Sequence, residues 1–159
     1  MQRIVVGLLQ PFEKVDGKVW PRLKNGEPLE VTGIEGPCDL KVVLPNGHSF
    51  EIPNVKRASI EVRHDIVAVI SALPLESAVP LSLAVEQTRN VLQRSGIADR
   101  VGSLDEWMKL PIADGPKRRV AASRILGPGV RLHVELRQHT MGHGWYSVLN
   151  FAQDHQKEG

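Results

Sequence analysis

A single cysteine, Cys38, excludes an intrachain disulfide, so the fold has to rest on its packed core. Cys38 sits in Gly36-Pro37-Cys38-Asp39 without a Cys/His pattern around it, and reads as an inert, partly buried thiol rather than a nucleophile. Aromatic residues make up only 4% of the chain, which leaves an aliphatic core. No apolar run approaches the about 18 residues needed to cross a bilayer as a helix, so no membrane partner is expected. The opening segment Met1 to Leu9 has one basic residue and a short apolar stretch cut off by Gln10-Pro11. It reads as a first strand rather than a signal peptide, and a cytoplasmic location follows, with a mature exported domain as the alternative.

Catalytic signatures are also missing. No Gly-rich sequence follows a strand and opens a helix; Gly127-Pro128-Gly129 lies between two strand patterns and reads as a hairpin turn. There is no Gly-x-Ser-x-Gly elbow. Repeats, low-complexity segments and separating linkers are absent too, so residues 1–159 are read as one domain. At 42% apolar and 24% charged residues, such a chain buries enough surface to fold rather than stay disordered.

The net charge of +2 is small but unevenly placed. Lys117, Arg118, Arg119, Arg124, Arg131 and Arg137 face one acid, Glu135, over a short span. This makes a local basic surface on a balanced protein.

Hydrophobic periodicity gives an α+β class with a mostly antiparallel sheet. Turn-rich residues 14–37 hold short strands around Lys18 to Leu23 and Leu29 to Ile34. Pro45-Asn46-Gly47 joins Lys41–Leu44 to His48–Ile52 as a hairpin. Ser59 to Ala72 reads as one long strand, with His64 on its apolar face as a core or rim histidine. The period then becomes helical: Leu81, Val85, Thr88 and Leu92 predict a main helix over 81–95, with Glu86 and Arg89 one turn apart and Gly96 as its stop. Ser103-Leu104-Asp105-Glu106 has the form of a capping box for a short second helix over 103–110. That role accounts for its two carboxylates without acid/base chemistry, and Trp107 should anchor the helix in the core. The chain closes as a three-strand meander, Arg118–Leu126, Val130–His139 and Trp145–Ala152, with a frayed tail from Gln153. The last strand is apolar on both faces, which predicts a central position or a covering helix.

The middle strand of that meander concentrates the chemistry. Val130, Leu132, Val134 and Leu136 alternate with Arg131, His133, Glu135, Arg137 and His139, which predicts one core face and one wet face. With Arg118 and Arg124 on the neighbouring strand, this row forms a candidate partner-binding surface for an acidic protein. His133, Glu135, His139 and His143 form a candidate metal site for zinc or iron, although the spacing matches no common zinc motif and Arg131 and Arg137 would repel a cation. The preferred reading is a small non-enzymatic recognition protein, in one form an inhibitor or immunity-type protein of bacterial kind, that needs no cofactor. A metal-dependent enzyme is the first alternative. Nucleic-acid binding across strands 117–137 is the second, weakened by scarce stacking aromatics. Edge strands also allow a homodimer.

Overall fold

The computed structural model describes residues 2–11, 19–23, 29–74, 79–107, 118–138 and 144–154, with backbone only at Gln2, 19–23, 29, 30 and 118–122. Strands β1 (Gln2–Gly7), β2 (Val19–Leu23), β3 (Leu29–Val43), β4 (Ser49–Arg63) and β5 (Ile66–Leu73) come first. Helices α1 (Leu81–Arg94), α2 (Ala98–Val101) and α3 (Leu104–Trp107) follow. Strands β6 (Arg118–Gly127), β7 (Val130–Gln138) and β8 (Trp145–Gln153) end the described chain. All strands join one sheet in the order β1-β3-β4-β5-β8-β7-β6, with β2 paired to β3 beyond the end of β1. Among the described strands only the β1–β3 pair is parallel. The architecture is α+β with a mostly antiparallel sheet, and among the described residues no helix is long and apolar enough to cross a membrane.

The first half is built on a hairpin far longer than its sequence suggests. The Pro45-Asn46-Gly47 turn forms as expected, with Gly47 at φ 92 and its amide bonded to Leu44 O. However, β3 and β4 run for 15 residues each. Their inward positions do not keep one phase. On β4 Phe50 and Ile52, then Val55, then Ala58, Ile60 and Val62 are buried. The phase slips are absorbed near Asn54, at φ 55, whose amide donates to Asp39 Oδ1 at 3.0 Å. Opposite, the register shifts between Glu35 and Leu40. Strict alternation breaks wherever a bulge adds a residue, and the bulge lets a long strand bend around its core.

The stretch Ser59 to Ala72 is two strands, not one. His64 and Asp65 have φ 52 and 66 and lie exposed at the tip of a two-residue turn between β4 and β5. Two consecutive positive φ values are the geometry of a tight hairpin, and His and Asp enter that region more readily than most non-glycine residues. His64 is therefore a turn residue rather than a core one.

The three helices pack on one face of the sheet. Ala84, Thr88 and Leu92 of α1 are buried, with the Thr88 hydroxyl donating to Ala84 O at 2.7 Å. Gly96, at φ 86, stops α1 after Arg94. The one-turn α2 was not expected, and α3 begins with one half of the expected capping box: the Ser103 amide donates to the Glu106 carboxylate at 3.1 Å, while the Glu106 amide donates to the Ser103 backbone carbonyl rather than to its hydroxyl. Residues 108–110, the expected end of that helix, lie outside the described residues. Arg89 pairs with Asp105 of α3 at 2.6 Å rather than with Glu86, fastening two helices. Trp107 is fully buried, its indole N–H donating to Val101 O at 2.9 Å. β8 runs between β5 and β7, the central position its sequence predicts, but it is apolar on one face only: Leu149 and Phe151 point to the core, and Val148 shares the other face with Tyr146 and Asn150.

Cys38 is buried at 1% exposure among β-sheet aliphatics. Burial, reinforced by the nearby Asp39 carboxylate, pushes its thiol above the ordinary range. The folded state thus favours the neutral thiol. Native protein is expected to resist alkylation at neutral pH and to react fully once unfolded, and the associated stability is lost as pH rises past the ordinary thiol range. Rapid alkylation of the native protein would contradict this burial.

Candidate recognition face

The face turned away from the helices carries the polar residues of the meander. Along β7 Val130, Leu132, Val134 and Leu136 are buried toward the helices, and Arg131, His133, Glu135 and Arg137 point to the other side. Register then extends this face across the sheet. His133 is opposite Ser123 of β6 and Asn150 of β8; Asn150 is opposite Ser71 of β5, and Ser71 opposite Ser59 of β4. At about 4.8 Å between strands, these five polar residues form a row about 19 Å long perpendicular to the chain direction. The Ser71 hydroxyl donates to Asn150 Oδ1 at 2.6 Å within it.

The charged residues beside this row are held by one another. Arg131 donates from Nε to Asp154 Oδ1 at 3.1 Å and from Nη1 to Ser123 Oγ at 3.2 Å. Asp154 is itself fixed, its amide donating to Gly129 O at 2.8 Å, so the first two residues of the expected frayed tail are anchored, Gln153 as the end of β8. Arg137 grips Glu135 with both arms, Nε to Oε1 at 2.8 Å and Nη2 to Oε2 at 3.2 Å. His133 Nε2 lies 3.4 Å from Oε2 of the same carboxylate.

The row is therefore not uniformly wet: Glu135 is only 3% exposed. A carboxylate buried to that degree needs compensation, and the bidentate guanidinium supplies it. The bond to Glu135 holds the Arg137 guanidinium above its already high ordinary pKa, with Tyr146 adding to the effect and partial burial opposing it. The sign places any loss of this stabilisation at pH values beyond the Arg137 pKa, so the cation persists across the range in which proteins are handled.

The remaining candidates separate. Arg118 is the backbone partner of Arg137 in the β6–β7 register, which places it beside the row. Arg124 does not belong there: it pairs with Leu132, an inward position, and its guanidinium carbon lies 5.4 Å from the Trp107 ring centroid. The strand alternates faces, and a bulge between Val120 and Ala122 changes the register, so that Arg118 meets Arg137 whereas Arg124 meets Leu132. His139 and His143 lie outside the described residues. Of the metal candidates, His133 and Glu135 are adjacent, but both Glu135 oxygens accept from Arg137 and a cation there would have to displace a bidentate guanidinium. Among the described residues no group of three His, Cys, Asp or Glu is placed to hold a metal.

Ser59, Ser71, Ser123, Asn150 and Asp154 were not singled out from sequence, and Tyr146 was named there only, with Trp145, as a stacking aromatic for the nucleic-acid reading. They lie on β4, β5, β6 and β8 or, for Asp154, just after β8, and only the strand order brings them beside β7. No protein-family model matches the chain, and neither a curated protein nor a solved structure matches it.

Proposed function

We propose that this α+β chain is a non-enzymatic recognition protein that binds a macromolecular partner through the outer face of its C-terminal meander. The observation that supports this reading is the half-exposed Arg137, 39% exposed, whose guanidinium is oriented by the almost fully buried Glu135. A bidentate pair fixes a side chain that would otherwise lose rotamer freedom on binding, and such preorganisation raises affinity. Arg and Tyr are also the side chains that most often dominate protein interfaces, and Tyr146 is the cross-strand neighbour of Arg137. The helices pack on the opposite face, so none of the described helices covers this one.

A carboxylate-bearing protein surface suits Arg131 and Arg137, with Arg118 at the neighbouring register position of β6. An inhibitor or immunity-type role, in which such a face blocks a partner enzyme, is one concrete form. The metal-dependent and nucleic-acid readings have no observation in their favour among the described residues.

The test is retention of a protein from lysate of the source cells on immobilised full chain. Arg131→Ala with Arg137→Ala is expected to reduce retention by about tenfold or more, since charge-assisted hydrogen bonds are each of order 1.5–3 kcal/mol. Added salt should weaken it as well. Equal retention by the doubly substituted chain would exclude this surface.

A further inference from the structure

Two residues along the strands from the row through His133, about 7 Å away, the outer face carries a second row. Register places Val31 of β3 opposite Glu61 of β4, and Glu61 opposite Val69 of β5. Val69 is opposite Ala152 of β8, Ala152 opposite Arg131 of β7, and Arg131 opposite Ile125 of β6. None of these six is buried, whereas Ile60, Ile70, Phe151 and Leu132, next to them in the chain, are buried on the helix side. Across the strands the row thus runs apolar, acid, apolar, apolar, base, apolar. Its halves mirror each other about the β5–β8 boundary, with the charges opposite in sign.

That pattern decides what fits. A two-fold axis parallel to the strands, lying between two facing sheets over the β5–β8 boundary, reverses the strand order and keeps each row at its own height. β4 then faces β7 of the other copy, and β5 faces its β8. Glu61 meets Arg131, Val69 meets Ala152 and Val31 meets Ile125, each contact made twice by symmetry. At about 4.8 Å between strands, Glu61 and Arg131 stand about 7 Å to either side of the axis, so the rotation of about 30° usual between packed sheets leaves both long side chains within reach. In the row through His133, Ser59 meets His133 and Ser71 meets Asn150, polar on polar. The Glu61 side chain is 32% exposed with Arg63 at 3.7 Å, and that of Arg131 is 25% exposed beside Asp154. Ile125, 53% exposed, is one of the few large apolar side chains left in water among the described residues. A uniformly acidic partner would suit Arg131 but set its carboxylates against Glu61, whereas a second copy uses both signs.

We propose that the outer face takes a second copy of this chain, packed sheet on sheet about that axis. This rests on the reading of the face as a recognition surface and names its occupant. The two rows cover about 24 Å by about 14 Å, less than the about 800 Å² that each partner contributes to a stable interface, so the dimer forms and separates reversibly.

The test is sedimentation equilibrium of the full chain over a concentration series, in which the average mass is expected to rise from one chain toward two. Glu61→Arg and Arg131→Glu should each weaken association by at least about tenfold, because two contacts per dimer turn from attraction to repulsion. An equimolar mixture of the two variants should recover it, since each then meets an opposite charge on the other, a recovery that misfolded chains could not give. Leu83→Lys, 41% exposed on α1 and on the helix side, should leave association unchanged. A chain that stays monomeric up to about 1 mM overturns the proposal. So does self-association that survives Glu61→Arg, or a mixture no more associated than its components. A monomer that still retains a lysate protein through Arg131 and Arg137 overturns the second copy alone; the reading of the face fails only in the retention test.

Discussion

Gly36→Ala is expected to lower folding stability by about 3 kcal/mol or more, read as a fall in the denaturant midpoint. A Cβ at Gly36 would collide with Val55 O and stand 2.8 Å from Lys56 O and 2.9 Å from Lys56 C. All three are backbone atoms of β4, so no side chain can rotate away. Relief requires moving β4 off β3 at the point where their registers shift and both strands bend. That bend keeps Ile34 and Cys38 on one side, and Val55 and Ala58 on the other, facing the same core. The comparison is Gly47→Ala, where nothing lies within 4 Å of a new Cβ. There the cost is conformational, since φ is 92, and is expected at about 1 kcal/mol. A Gly36→Ala midpoint no lower than that of Gly47→Ala would mean that the strands do not approach this closely.

The same crossing shows why the first half was harder to read than the second. Alternation along the meander is unbroken from Val130 to Leu136, so strand, boundaries and inward face were legible. Likewise the Ser103 to Glu106 pattern, the stop at Gly96 and the Pro45–Gly47 turn depend on neighbours in the chain; the stop and the turn formed as expected, and the capping box in its Glu106 half. In β3 and β4 the inward set is assembled from segments of different phase, and no local pattern announces a bulge at Asn54. The break at His64-Asp65 was hidden for a similar reason: that turn lacks the Asn-Gly pair that usually marks one, while apolar residues continue on both sides. The added one-turn α2 depends on packing of Ile97 and Val101 into the core rather than on a helical repeat of its own.

The candidate site divides along the same line. That Arg131, His133, Glu135 and Arg137 share one face was readable, because it requires only a period of two. Their chemistry was not, because it is set by partners remote in sequence. Asp154 holds Arg131 from 23 residues away, and Asn150 and Ser71 lie beside His133 through strand order alone. The row that reads as a strip of exposed positive charge is consequently a set of closed ion pairs around a buried carboxylate. Its electrostatic field is shorter in range than the sequence suggests, and orientation of the arginines becomes its main asset.

Trp107→Ala is expected to cost about 3–5 kcal/mol, a large part of the about 5–15 kcal/mol that holds a typical domain folded. Three losses combine. The largest fully buried side chain among the described residues leaves a void at the junction of α3 and β6. Val101 O loses the indole donor at 2.9 Å. The Arg124 guanidinium, 5.4 Å from the ring centroid, loses the face it lies over. Trp107→Phe keeps most of the volume but not the N–H, so a cost of about 1–2 kcal/mol separates packing from hydrogen bonding. Arg124 then supplies the discriminating measurement. If it stabilises α3 by lying over the indole, Arg124→Ala should cost about 0.5–1 kcal/mol in the wild-type background and almost nothing in Trp107→Ala. Retention of a partner should be unaffected by Arg124→Ala while it is lost in Arg131→Ala with Arg137→Ala. Equal stability costs in both backgrounds would detach Arg124 from Trp107 and return it to the candidate binding residues.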